Sequence, residues 1–101
     1  TDQLRDLLKI AEEKPSVSIF LQLSNKFYDL GDYKNSVIAC LKLLKLDSIN
    51  VAAYNNLCAS YNQLGQWENG IAACEKALSI NPDYQLAKNN LNWAKGALSN
   101  Q

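Results

Sequence analysis

Two asparagine pairs, Asn55-Asn56 and Asn89-Asn90, recur 34 residues apart. A carboxamide carries one acceptor and two donors, the complement of a peptide bond's N–H and C=O. Repeated at a fixed interval, such side chains could grip the main chain of another polypeptide. The remaining candidates for chemistry are three cysteines, Cys40, Cys58 and Cys74. Their odd count and the lack of a C-x-x-C pair argue against a disulfide framework. Cys40 and Cys74 each follow Ala in an apolar stretch and read as small buried hydrophobes. A reactive thiol would need a base beside it, and the chain contains no His. That absence also removes the commonest metal ligand and the commonest general base. There is no Gly-rich phosphate loop. Glu12-Glu13 reads as a solvated face. The sequence therefore points to no catalytic residue, no metal site and no cofactor.

The elements that position these residues follow from the same interval. Placing Val17–Asn50 above Val51–Tyr84 aligns Leu23 with Leu57, Gly31 with Gly65, Ala39 with Ala73, Cys40 with Cys74 and Leu44 with Leu78. Aromatics align as well: Phe20 with Tyr54, Phe27 with Tyr61, Tyr33 with Trp67. Each copy splits at its glycine. Phe20, Leu23, Phe27 and Leu30 fall at helical spacing before Gly31, and Tyr33, Val37, Cys40, Leu41 and Leu44 after it. Gly31 permits the backbone that leaves one helix, and Asp32 can cap the next. Asn81-Pro82 closes the second copy. The ends are partial units. Asp2–Lys14 carries Leu4, Leu7, Leu8 and Ala11 on one face, and Tyr84–Leu98 carries Leu91, Ala94 and Leu98. The expectation is a single all-α domain over 1–101 with six helices: a partial-repeat helix over 1–14, repeats over 17–50 and 51–84, and a capping helix over 85–98.

Composition limits the function. Ten basic and ten acidic residues cancel, and no basic stripe would draw nucleic acid. No apolar run approaches the roughly 20 residues needed to span a bilayer. Neither nucleic-acid binding nor direct membrane insertion is expected. The chain starts at Thr1 rather than Met, as a processed product or a piece of a longer chain would. No secretory leader is read, and a cytoplasmic setting is favoured without being assigned.

The residues that recur resemble the tetratricopeptide repeat. The second copy reads Tyr54, Leu57, Cys58, Tyr61, Gly65, Trp67, Gly70, Ala77, Pro82; the first reads Phe20, Leu23, Ser24, Phe27, Gly31, Tyr33, Ser36, Leu43, Ser48. The first departs from the family pattern at Leu43 and Ser48, where Ala and Pro are usual. Gly70 replaces the usual Ala, at a cost of about 1 kcal/mol in helix propensity. Small side chains at Ser24, Cys58, Ser36 and Gly70 would let the helices of a hairpin approach closely. The resemblance implies a right-handed α-α superhelix whose first helices line a concave side. It also implies a protein or peptide as partner.

On that geometry the groove receives Ser18, Leu21, Gln22, Asn25, Tyr28 and Asp29, then Ala52, Asn55, Asn56, Ala59, Asn62 and Gln63, then Leu86, Asn89, Asn90 and Trp93. The expected peptide-binding residues are Leu21, Gln22, Asn25, Tyr28, Asn55, Asn56, Asn62, Asn89, Asn90 and Trp93. Gln22, Asn56 and Asn90 would be successive rungs of an amide ladder. With helices about 8–10 Å apart and about 3.3 Å per extended residue, a rung would meet roughly every third guest residue. Such a ladder resembles the one in the repeat region of O-GlcNAc transferases. The competing reading is that Asn is soluble filler, since several of the twelve, such as Asn35 and Asn69, lie off the groove. Against it stands the stability cost of asparagines inside helices. Trp93 is either an exposed anchor or a cover for the apolar end of the stack.

Chaperone-binding domains of this family clamp a C-terminal carboxylate with a Lys, two Asn, a Lys and an Arg. Asn25 and Asn56 match the two Asn, but Leu21, Leu86 and Asn90 replace the three cations. Without them a carboxylate gains no charge-assisted hydrogen bonds, so that clamp is not expected. The leading expectation is a non-catalytic module that binds an extended segment. The alternative is an assembly role through the ends of the solenoid, with the chain a monomer or weakly self-associating.

Overall fold

The computed structural model describes residues 1–101 and contains six helices. They are α1 (Asp2–Glu13), α2 (Val17–Asp29), α3 (Tyr33–Leu46), α4 (Val51–Gln63), α5 (Trp67–Ile80) and α6 (Gln85–Ser99). There are no strands. Each helix packs on the next, and α4 also meets α2 on one side and α6 on the other, making a second layer. The result is an all-α solenoid of two full hairpins, α2/α3 and α4/α5, flanked by single helices. It extends 42 × 26 × 18 Å. No helix is long and apolar enough to cross a membrane.

The hairpin turns have a local cause. Gly31 and Gly65 take φ of 76° and 73°, a region that penalises any side chain. After α2, the Gly31 N–H donates to Tyr28 O (3.0 Å) and the Asp32 N–H to Phe27 O (2.8 Å). Gly65 and Gln66 repeat this on Asn62 and Tyr61. These bonds satisfy part of the carbonyls left over at the ends of α2 and α4, and the chain reverses in two residues. Side-chain oxygens of Thr1, Ser16, Asp32 and Asn50 accept from the starts of α1 to α4. Gln66 and Tyr84 make no such bond to α5 and α6.

The core has two parts. Ile19, Phe20, Leu23, Phe27, Ala39, Leu43 and Ala53 form the first, with Leu4, Leu7 and Ala11 of α1 packed on it. The second holds Cys40, Leu57, Cys58, Ala73, Cys74, Ala77 and Ala87. Leu43 stands where the family pattern has Ala and is fully buried in the first core. Ser24, Ser36, Cys58 and Gly70 are all buried at the helix crossings.

One expectation from the sequence is overturned. Cys58 and Cys74 form a disulfide that ties α4 to α5. Their 16-residue separation is unlike any local motif. It corresponds to two helices folded back on each other, with one sulfur on the close-approach face of each. The signal was present in the small-residue pattern: Cys58 holds a crossing position, and Cys74 lies in the apolar stretch of the partner helix. Cys40 remains a free, fully buried thiol.

Candidate functional site

The first helices of the two hairpins run in parallel. Asn56 of α4 meets Asn25 of α2, and Gln63, a further two turns along, meets Tyr28. Beside them lies a cleft of about 440 Å³ lined by Asn25, Tyr28, Asp29, Asn55, Asn56, Ala59 and Asn90. None of these is basic.

Amide pairs bridge the helices along this cleft. Asn56 Nδ2 donates to Asn25 Oδ1 at 2.8 Å and to Ser24 Oγ at 3.2 Å. Asn90 Nδ2 of α6 donates to Asn55 Oδ1 at 2.9 Å. The orientation of the first pair is dictated from below. Ser24 Oγ donates its one hydrogen to Leu21 O (2.9 Å), so it needs a donor above it, and Asn56 must present nitrogen. Both hydrogens of Asn56 are then used. Its Oδ1 is left as an acceptor and the Asn25 nitrogen as a donor, neither bonded within the protein. Ser24 is itself anchored: its carbonyl accepts from Ser36 Oγ (2.9 Å), which accepts from Ser60 Oγ (2.9 Å).

Other expected groove residues lie elsewhere. Asn62 is 1% exposed. Its nitrogen donates to the main-chain oxygen of Asn90 (3.0 Å), and its Oδ1 occupies the space beside Gly70 without a hydrogen-bond partner. An added Cβ at Gly70 would overlap that oxygen. Gly70 thus admits the Asn62 amide, which fastens α4 to α6, rather than leaving it to the groove. Asn55, by contrast, does line the cleft but is buried, with its Oδ1 taken by Asn90. Leu21 leans on the first core. Gln22 Nε2 donates to Ser18 within its own helix, at a neighbouring hollow with Gln3, Leu7, Asn25, Lys26 and Asp29. Asn89 accepts from Gln85, also within one helix. Trp93, 40% exposed, packs edge-on against Trp67 with ring centroids 5.7 Å apart and does not line the cleft. It covers the start of α5. Gln22, Asn56 and Asn90 are therefore not three equal rungs; the amides form two cross-helix pairs, and Gln22 stands outside them. A reading of single helices misses the pairing because each partner lies on a different helix.

A second hollow, about 280 Å³ and mostly apolar, lies among α1, α2 and α3, with Leu8, Phe20, Phe27 and Ile38 in its wall. Leu8 and Ile38 are both exposed there.

The family profile for the tetratricopeptide repeat matches residues 51–84. Residues 51–84 are a tetratricopeptide repeat. Two crystal structures of MamA share its fold, with TM-scores of 0.90 and 0.91, at 22% and 21% sequence identity. They cover 95% and 97% of this chain, which spans 57% and 54% of theirs. The NMR structure of the first tetratricopeptide-repeat domain of human RPAP3 gives a TM-score of 0.80 at 21% identity, over 83% of this chain and 66% of that one. The domain thus spans little more than half the length of the MamA chains it superimposes on. No curated protein matches it by sequence. Tetratricopeptide-repeat domains generally mediate protein–protein interaction and are typically non-catalytic.

Proposed function

We propose that this domain is a non-catalytic module that holds an extended protein segment by its main chain in the amide-lined cleft. The observation that carries the reading is the bridging pair Asn25–Asn56. Its unpaired acceptor and donor complement the N–H and C=O of an extended guest. Asn55–Asn90 offers a second amide pair one helix along. Prior pairing limits the ordering cost on binding, since the amides are already held.

The test is calorimetric titration with extended peptides, parent against Asn56→Ala plus Asn90→Ala. The double variant is expected to lose about 1–2 kcal/mol, each neutral hydrogen bond being worth about 0.5–1.5. Equal binding by parent and variant defeats the reading.

One observation favours a second role, assembly through the outer surface. Leu8, Ile10, Ile38 and Leu41 are each exposed, and Leu8 and Ile38 flank the apolar hollow. Self-association that grows with concentration in sedimentation, and is lost in Ile38→Lys, supports that role; a strictly monomeric profile removes it.

A further inference from the structure

We propose that the guest segment carries a Lys or Arg side chain where it passes Asp29. This rests on the cleft reading above and specifies the charge of its occupant.

Asp29 lines both the amide cleft and the adjoining hollow. It is the last residue of α2, it is exposed, and no side chain of the protein pairs with it. The one ion pair in the chain is Arg5 with Asp2, in α1. A carboxylate at a helix C-terminus faces the negative end of the macrodipole, the least favourable place for it. The basic residue in that last turn, Lys26, is drawn off to Gln3 Oε1 at 2.9 Å. Because α4 runs parallel to α2, it brings a second negative helix end to the same rim. Nothing basic lines the cleft itself; Lys26 lines only the adjoining hollow, where it is held on Gln3. On the cleft side of Asp29 the local field therefore favours a cation that the protein does not supply there.

The neighbouring aromatic is held in place for one. Tyr28 accepts a hydrogen bond from Gln63 Nε2 (3.1 Å), and its ring meets Tyr33 edge-on with centroids 5.2 Å apart. A fixed aromatic ring beside a free carboxylate suits an ammonium or, better, a planar guanidinium. The same field repels a free C-terminal carboxylate. The occupant is accordingly an internal stretch of chain rather than a chain end.

Three short peptides, blocked at both ends and identical except for a central Arg, Gln or Glu, test this by titration. The Arg peptide is expected to bind roughly three- to ten-fold tighter than the Gln peptide at low salt, the range for an exposed ion pair with an aromatic contact. The Glu peptide is expected to bind more weakly than both, and added salt to narrow the spread. In Asp29→Asn the Arg preference should vanish while the Gln peptide binds as before. That variant should fold with an equal or higher Tm, since it removes a charge that the helix end disfavours. Equal binding of the Arg and Glu peptides, or an Arg preference that survives Asp29→Asn, overturns the inference and leaves the cleft reading standing. Failure of all three to bind removes the cleft reading and this inference together.

Discussion

Ser24 and Cys58 occupy the same place in their hairpins, as do Cys40 and Cys74, Ser36 and Gly70, and Tyr28 and Asn62. In the first hairpin these residues build a hydrogen-bonded crossing: Ser36 Oγ donates to Ser24 O, and Cys40 stays a thiol. In the second they build a covalent one, Cys58–Cys74, with Gly70 giving up its side chain to admit Asn62. The backbone turns are the same in both, down to the paired N–H donations at each glycine. The repeat pattern thus specifies size at the crossings and leaves the chemistry open. The second hairpin spends that freedom on fastening α6. The first spends it on Ser24, which orients Asn56 at the cleft.

Removing the covalent link should separate the hairpins most. Reduction, or Cys58→Ala with Cys74→Ala, is expected to lower unfolding stability by about 3 kcal/mol, the loop-closure value for a loop of this length. Denaturant curves with and without reductant check it. A reductant effect that persists in the double variant would place its origin elsewhere.

Next is the contact unique to the second hairpin. Gly70→Ala gains about 1 kcal/mol of helix propensity but drives a methyl into Asn62, at about 1–3 kcal/mol. A net loss of about 1–2 kcal/mol is expected. Asn62→Ala in the same chain should reverse it, restoring the family's usual Ala to an uncrowded site. If the two substitutions simply add, the contact is not what selects Gly70.

The thiol unique to the first hairpin should make stability fall at alkaline pH. Burial pushes Cys40 up to about 12, with its side-chain hydrogen bond to Ser24 pulling the other way. In the unfolded chain the thiol ionises near 9.0. Above that the unfolded chain has released the proton and the folded chain retains it. The contribution is therefore complete below about pH 9 and declines by up to ~1.4 kcal/mol per pH unit as pH rises toward 12. Cys40→Ala should flatten this slope, as measured by denaturation at successive pH values; an unchanged slope would assign it to other groups.

The smallest effect belongs to the serine chain. Ser36→Ala strips the donor from Ser24 O and the acceptor from Ser60, and should cost about 1 kcal/mol. Ser36→Ala with Ser60→Ala should cost less than the two separate losses combined, since no orphaned hydroxyl remains at Ser60. Thermal unfolding of the single and double variants distinguishes this from simple additivity.

Much of the fold could be read along the chain because its causes are local. Helical spacing, capping residues and the two glycines act within a few residues of one another, and a 34-residue period then stacks what they build. Part of the cleft was legible for the same reason: Asn25, Tyr28, Asn55, Asn56 and Asn90 are on the surface that first helices turn inward, and all line it. Asn62 was not, because its fate depends on a missing side chain on another helix. Trp93 was not, because Trp67 lies on a different hairpin and draws its ring away.

Taken alone, the amino-acid order settled the helices, their turns and their repetition, since each depends on interactions spanning one or two turns of chain. Tertiary contact decided which cysteines joined, which amide went into the interior and which atoms of Asn25 and Asn56 were left without a partner. Those outcomes depend on how closely two helices approach and on where each remaining hydrogen of a shared network must go. Such constraints exist only once distant segments have met.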